Sequence, residues 1–168
     1  MKRAPLGSNQ SLGPIVLGTD FGPVSAGAEA VAIDVARAAG LPLVIVNAID
    51  AGRLRLAGGR LLQRVDQVRG SRQVLADALV ERARARGVDA RVLIWDGSPA
   101  GCVTEAAAAE SASRIVIGSH GRGRLGRAIV GSVSEEVRAA AWCPVHVVLP
   151  DGAINPLGSR HEPLTEQI

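Results

Sequence analysis

Short apolar runs without polar alternation recur along the chain, and the stretches between them carry apolar residues at helical spacing. The runs are Ile15–Thr19, Leu43–Ile49, Ala90–Trp95, Arg114–Ile117 and Val145–Leu149. A strand that is apolar on both sides must be covered on both sides, and a parallel sheet between two helical layers does this. The intervening segments fit the covering role. Pro23–Ala39 carries Ala26, Ala30, Ile33, Val35 and Ala36 and stops at Gly40. Gln63–Arg86 carries Val65, Val68, Val74, Leu75, Leu79 and Ala83 and stops at Gly87. Glycine ends helices readily because it takes the left-handed conformation at little cost. A third helix opens with Ser98 as cap and Pro99 in its first turn, and ends near Ala112. A fourth covers Ser132–Ala141. Right-handed crossovers turn this alternation into an open, doubly wound, Rossmann-like α/β sheet.

The length of 168 residues suits one domain with a core of its own. Residues 1–13 read as a flexible leader, 14–150 as the folded domain and 151–168 as a flexible tail with two prolines and two glycines. Phe21, Trp95 and Trp142 are the only aromatic residues, so the core must be aliphatic. The net charge of +3 rests on 18 arginines and a single lysine, Lys2, with the densest run at Arg122–Arg127. Without aromatic platforms for stacked bases, that charge suits a small anionic ligand better than a nucleic acid. Cys102 and Cys143 form no CxxC pair, which fits a reducing compartment. No secretory apolar region or membrane-length apolar run is present, so the expected location is cytoplasmic.

In a doubly wound sheet, ligands sit beyond the carboxyl ends of the strands, where the strand order reverses. The loops after the first and fourth strands are therefore the places to look for chemistry. After the fourth strand the chain reads GSHGRGRLGRAIVGSVS, Gly118 to Ser134. Closely spaced glycines let successive backbone amides form an anion nest. The helix opening at Gly131-Ser132 adds N-terminal amides that favour phosphate, and Ser132 and Ser134 add hydroxyl donors. After the first strand stands Asp20, which could accept from a ribose or base, help hold a metal, or cap the following helix.

Other chemistries find little support. Gly121, Gly123 and Gly126 spell GxGxxG, but after the fourth strand rather than the first, and without the acidic partner of a dinucleotide fingerprint. A GxxxxGK[ST] loop is absent. So are zinc spacing and GxSxG. His120 and His146 read as an exposed loop residue and a packed strand residue.

The stretch GSHGRGRLGRAIVGSVSEEVRAAAWCPVHVV resembles the C-terminal half of universal stress proteins. Gly118, Gly121, Gly131 and Ser132 match the G-x2-G-x9-G-[ST] pattern of that family's ATP-binding branch. The opening IVLGTDFGPVSAGAEA and the Cys143-Pro144-Val145 lead into the last strand are similar to the family too. The resemblance implies a five-stranded parallel sheet of order 3-2-1-4-5 and ATP with Mg²⁺ lying across the crevice. It implies that Gly18, Thr19 and Asp20 meet the adenosine end, with Ala48 near the base. Gly118 and Gly121 would line the ribose and α-phosphate, and Gly131, Ser132, Val133 and Ser134 would hold the phosphates. Three features depart from the family. Gly18 stands where nucleotide binders often have proline. Residues 50–62 are rich in glycine and arginine. Ser113-Arg114 replace an acidic position before the fourth strand.

The expected function is a dimeric, ATP-binding regulatory protein of the stress response. The alternatives are a slow ATPase or autophosphorylating enzyme, acting on Ser132 or Ser134, and a nucleotide-free interaction dimer. No catalytic constellation calls for an enzyme. The homodimer is expected through the last strand, Val145–Leu149, because Val145, Val147 and Val148 would leave an apolar edge bare.

Overall fold

The structure, a computed structural model, describes residues 12–52, 61–119 and 131–157. In chain order the elements are β1 (Ile15–Gly18), α1 (Ala26–Ala39), β2 (Leu43–Ile49), α2 (Leu61–Ala85), β3 (Ala90–Asp96) and α3 (Pro99–Ala109). They continue with β4 (Arg114–Gly118), α4 (Ser132–Ala140), β5 (Val145–Val148) and β6 (Ile154–Leu157). The sheet order is β3-β2-β1-β4-β5-β6. The expected 3-2-1-4-5 parallel order is present, with a sixth strand added antiparallel at its edge. β1 lies at the centre, with Ile15 opposite Leu43 of β2 on one side and Arg114 of β4 on the other.

Alternate residues of each central strand feed two separate cores, as the pleat requires. Ile15, Leu17, Leu43, Ile45 and Val116 face α1 and α2. Val16, Val44, Val46, Ile115 and Ile117 face α3 and α4. Fully burying each such side chain contributes about 1.5–3 kcal/mol. The helix ends follow the sequence signals. Gly40 takes φ 65° and donates its N–H to the carbonyls of Ala36 and Arg37. The Ser98 hydroxyl accepts from the Gly101 N–H, with Pro99 directly after it.

The helix faces depart from expectation. On α1 the buried residues are Ala28, Glu29, Ala32, Ile33 and Ala36, whereas Ala26 and Ala30 face out. On α2, Ala76, Leu79, Val80 and Ala83 are buried, while Val74 and Leu75 are exposed. Alanine and valine fall at several helical spacings at once in these segments, so the apolar pattern does not single out one face. Among the described residues, no helix is long and apolar enough to cross a membrane.

The largest correction lies at the sheet edge. Residues 151–157, expected to be tail, turn back and cover β5 from the same chain. The turn is built on Asp151, whose Oδ1 accepts from the Ala153 N–H at 2.9 Å, and on Gly152 at φ 81°. The Leu149 N–H donates to the Ala153 carbonyl. Antiparallel alternation from that pair leaves Pro156 at an outward-facing position. The edge at Val145–Leu149 expected to take a second copy is therefore occupied by β6. The new outer edge lacks one donor, because proline has no N–H.

Two structural details carry predictions. A Cβ on Gly18 would lie 2.7 Å from Val103 Cγ2 and 2.9 Å from Ile117 Cγ2. Gly18→Ala is expected to lower unfolding free energy by about 1–3 kcal/mol. The loss should shrink in a Val103→Ala background, because that change opens the same space. Denaturant titration of the four proteins checks this; equal losses in both backgrounds would put the strain elsewhere. The second detail is His146, opposite Val116 and Pro156, with Nδ1 buried and without a hydrogen-bond partner. Burial, with a contribution from the Arg114 charge, holds its pKa below the ordinary value. A histidine kept neutral by folding stabilises fully above its unfolded pKa. That stability falls as pH drops through about 6.5 toward the folded value. His146→Gln should flatten the pH dependence of stability over that window, and denaturant midpoints measured from pH 8 to pH 5 read it.

Candidate functional site

β1 and β4 are neighbours, and a crevice opens beyond their carboxyl ends. Its volume is about 260 Å³. Gly18, Thr19, Asp20 and Ser25 form one wall. Val46, Asn47 and Ala48 from β2 form the floor. Pro99 and Val103 of α3, Ile117 and Gly118 of β4, and Ser132 and Val133 of α4 complete it. Seven of the ten residues expected at a site (Gly18, Thr19, Asp20, Ala48, Gly118, Ser132 and Val133) therefore meet in one crevice. Gly131 caps α4 beside it without lining it. Ser134 is 2% exposed and lies inside the fold rather than on the wall. Gly121 and the rest of 120–130, His120 and Arg122–Arg127 included, lie outside the described residues.

The β1 loop is held tightly. The Thr19 N–H donates to the Val46 carbonyl at 3.0 Å, and the Thr19 carbonyl accepts from Asn47 Nδ2 at 2.8 Å. The Thr19 hydroxyl donates to Glu29 Oε1 and accepts from the Phe21 N–H, each at 2.9 Å. Phe21 itself sits at φ 58°. A non-glycine residue there costs about 1–2 kcal/mol, which the surrounding bonds must offset. Asp20 Oδ1 accepts from the Gly22 N–H at 2.8 Å and the Ser25 hydroxyl at 2.7 Å. A Cβ on Gly22 would lie 2.9 Å from that oxygen, so a side chain there would have to displace the Asp20 carboxylate. Asp20 thus serves the turn into α1 and lines the crevice as well, and its two sequence readings are compatible. Ser25 directs its hydroxyl to Asp20 and makes no side-chain cap for α1.

On the far side, α4 starts at Gly131 in extended conformation, with no side-chain cap on its first amides. Helix N-termini of this kind attract anions. Val46 and Ala48 of the floor and Pro99 and Val103 of the α3 wall are apolar, with Asn47 the polar residue of the floor, so the crevice combines a largely apolar interior with a polar rim at Asp20 and Ser132. That combination suits a flat apolar ring with an anionic tail. Both thiols are unsuited to nucleophilic work: burial pushes the Cys102 and Cys143 pKa values up, and Glu105 raises Cys102 further. Among the described residues, no three His, Cys, Asp or Glu groups converge on a metal position.

Ser25, Asn47, Pro99 and Val103 were not foreseen. Asn47 had a signal, as the single polar residue in LVIVNAI. Val103 had none, because a wall valine reads like a core valine.

Comparison with known proteins places the chain in a family. The sequence pattern of the universal stress protein family matches residues 12–148. A universal stress protein of Thermus aquaticus is 33% identical over 141 residues, spanning 80% of this chain and 96% of the relative. A universal stress protein of Mycolicibacterium smegmatis is 34% identical over 139 residues, covering 82% of this chain but 46% of that longer protein. The solved structure of the Archaeoglobus fulgidus universal stress protein in complex with dAMP superposes with a TM-score of 0.62 at 22% identity, over 84% of this chain and 97% of that one. With a matching family pattern, a relative aligned over nearly its whole length and a shared fold, this chain belongs to the universal stress protein family.

Proposed function

We propose that the crevice binds an adenine nucleotide, ATP with Mg²⁺, and that the protein acts by binding, as a regulator in the stress response. The observation that carries this reading is the convergence of Ala48, Asp20 and Ser132 on one crevice whose floor is largely apolar and whose far rim is a helix N-terminus. The base would lie over Ala48 and against Val103, where burial of its faces supplies affinity. The Asp20 carboxylate would accept from ribose hydroxyls beside Gly18 and Thr19. Gly118, together with Gly121 in the following loop, would let the backbone approach the ribose and α-phosphate. The amides of Gly131, Ser132 and Val133 would receive the phosphates, as helix N-termini do. Ser134 would support them from beneath. The adenine mononucleotide carried by the Archaeoglobus relative supports the same ligand class. Mg²⁺ would neutralise phosphate charge. The described residues build no cage for it, so it would arrive with the nucleotide. Among the described residues, burial raises both thiol pKa values and no carboxylate–histidine pair lines the crevice, which supports a reading as a binding site.

Calorimetric titration of nucleotide-stripped protein with ATP, Mg²⁺ and adenosine tests the reading, with Ser132→Glu as the variant. Glutamate in the first turn suits the helix dipole, so the fold should be kept. Its charge would stand where the phosphates are to bind. ATP affinity is expected to fall about tenfold or more, which is about 1.4 kcal/mol. Adenosine binding should hold within a factor of about 3. Absence of saturable ATP binding to the unaltered protein would overturn the proposal.

A further inference from the structure

A buried carboxylate lies directly behind the crevice wall. Glu29 is 7% exposed, on the face of α1 that packs against the sheet. An unpaired charge there would be costly, so its partners matter. Both of its oxygens are engaged. Oε1 accepts from the Thr19 hydroxyl at 2.9 Å, and Oε2 accepts from Arg82 Nη2 at 2.6 Å. Arg82 lies near the end of α2, and its side chain is more than half exposed. The same Thr19 oxygen accepts the Phe21 N–H, the amide of the one residue in this loop that is not glycine yet has positive φ. A continuous chain thus runs from the surface of α2 through a buried carboxylate to the turn that presents Asp20.

We infer that Glu29 is a positioning residue for the nucleotide crevice: it orients the Thr19 hydroxyl, which pins the Phe21 turn and with it Asp20, while Arg82 fixes the carboxylate from α2. The inference rests on the crevice being a nucleotide site, but the geometry it assigns to the loop can be read without any ligand. The physical logic is that a hydroxyl donating to a carboxylate has its lone pairs turned toward the amide. The charge-assisted bond is short and directional. A leucine at position 29 would fit the apolar core yet leave the hydroxyl free to rotate and the Phe21 amide without a fixed acceptor.

The test compares the unaltered chain with Glu29→Leu, Glu29→Gln, Thr19→Val and the Thr19→Val/Glu29→Leu double variant. Two readouts are used: hydrogen exchange of the Phe21 amide by NMR, and ATP affinity by calorimetry. Glutamine keeps an oxygen for the Thr19 hydroxyl but loses the bond from Arg82, so it should lie between the unaltered chain and Glu29→Leu on both readouts. Glu29→Leu should speed Phe21 exchange at least about tenfold and weaken ATP about tenfold, with helical circular dichroism retained. Thr19→Val should reproduce the exchange change, and the double variant should add little to either single one. If Glu29→Leu does not fold, Thr19→Val and Glu29→Gln still decide the matter. Unchanged Phe21 exchange in Glu29→Leu or Thr19→Val overturns the relay. Faster exchange with unaltered ATP affinity overturns its role at the site. If the unaltered protein binds no ATP, the nucleotide reading fails, and the positioning claim then stands or falls on the exchange rates alone.

Discussion

The pairing of β1 on both sides is the constraint on which the rest of the structure depends. Its four residues, Ile15–Gly18, bond in parallel to β2 along one edge and β4 along the other. All three residues before the glycine are fully buried. Because the chain after β1 leads toward β2 and returns much later at β4, no crossover fills the space above the junction. The crevice is a consequence of strand order, and the side chains only decide what it holds. Gly18 ends β1 at this junction, where Val103 and Ile117 already occupy the volume a side chain would need. A side chain there would have to displace one of these methyl groups, so glycine is what lets α3 pack this closely on β1.

The chemistry around the crevice is divided by layer. The α3 and β2 side is largely apolar and rigid, belonging to a core that also contains Ala100, Ala106 and Ile115. The β1 loop is polar and held by four hydrogen bonds to Thr19 alone. A loop built this way needs little rearrangement to receive a ligand, which favours affinity by lowering the ordering cost. The energy for it is drawn from elsewhere in the molecule: Glu29 is a charge inside an aliphatic core, tolerated because Arg82 and Thr19 satisfy both oxygens.

Much of this was legible in the sequence, and for identifiable reasons. The parallel sheet followed from strands such as VIV in β2, which no half-exposed sheet would tolerate. The helix ends followed from Gly40, Gly87 and the Ser98-Pro99 pair, whose backbone requirements are local. The crevice followed from topology together with Asp20 and the Gly131-Ser132 helix start. What escaped was set by tertiary packing. Glu29 carried no signal, since nothing in AGAEAVAID says which face is turned inward. Val74 and Leu75 looked like core and are exposed, because Ala76, Leu79, Val80 and Ala83 supply the packing face of α2. The Asp151-Gly152 pair was a hairpin signal in plain view. Pro156, Gly158 and Pro163 follow it without a periodic apolar face, which is the composition of a tail.

That hairpin changes how the molecule ends. Without it, β5 would present three valines on an open edge, the usual invitation to a second chain. With β6 in place the apolar strand becomes interior, and the exposed edge passes to a strand interrupted by Pro156 at an outward position. The chain thus closes its own sheet, and the antiparallel addition requires only a tight turn, where a parallel one would have required another crossover. The closing strand also lies over the β5 position that carries His146, flanked by Arg114. Burial and the Arg114 charge lower the pKa of that imidazole, so the same edge that removes an apolar liability introduces a dependence on pH.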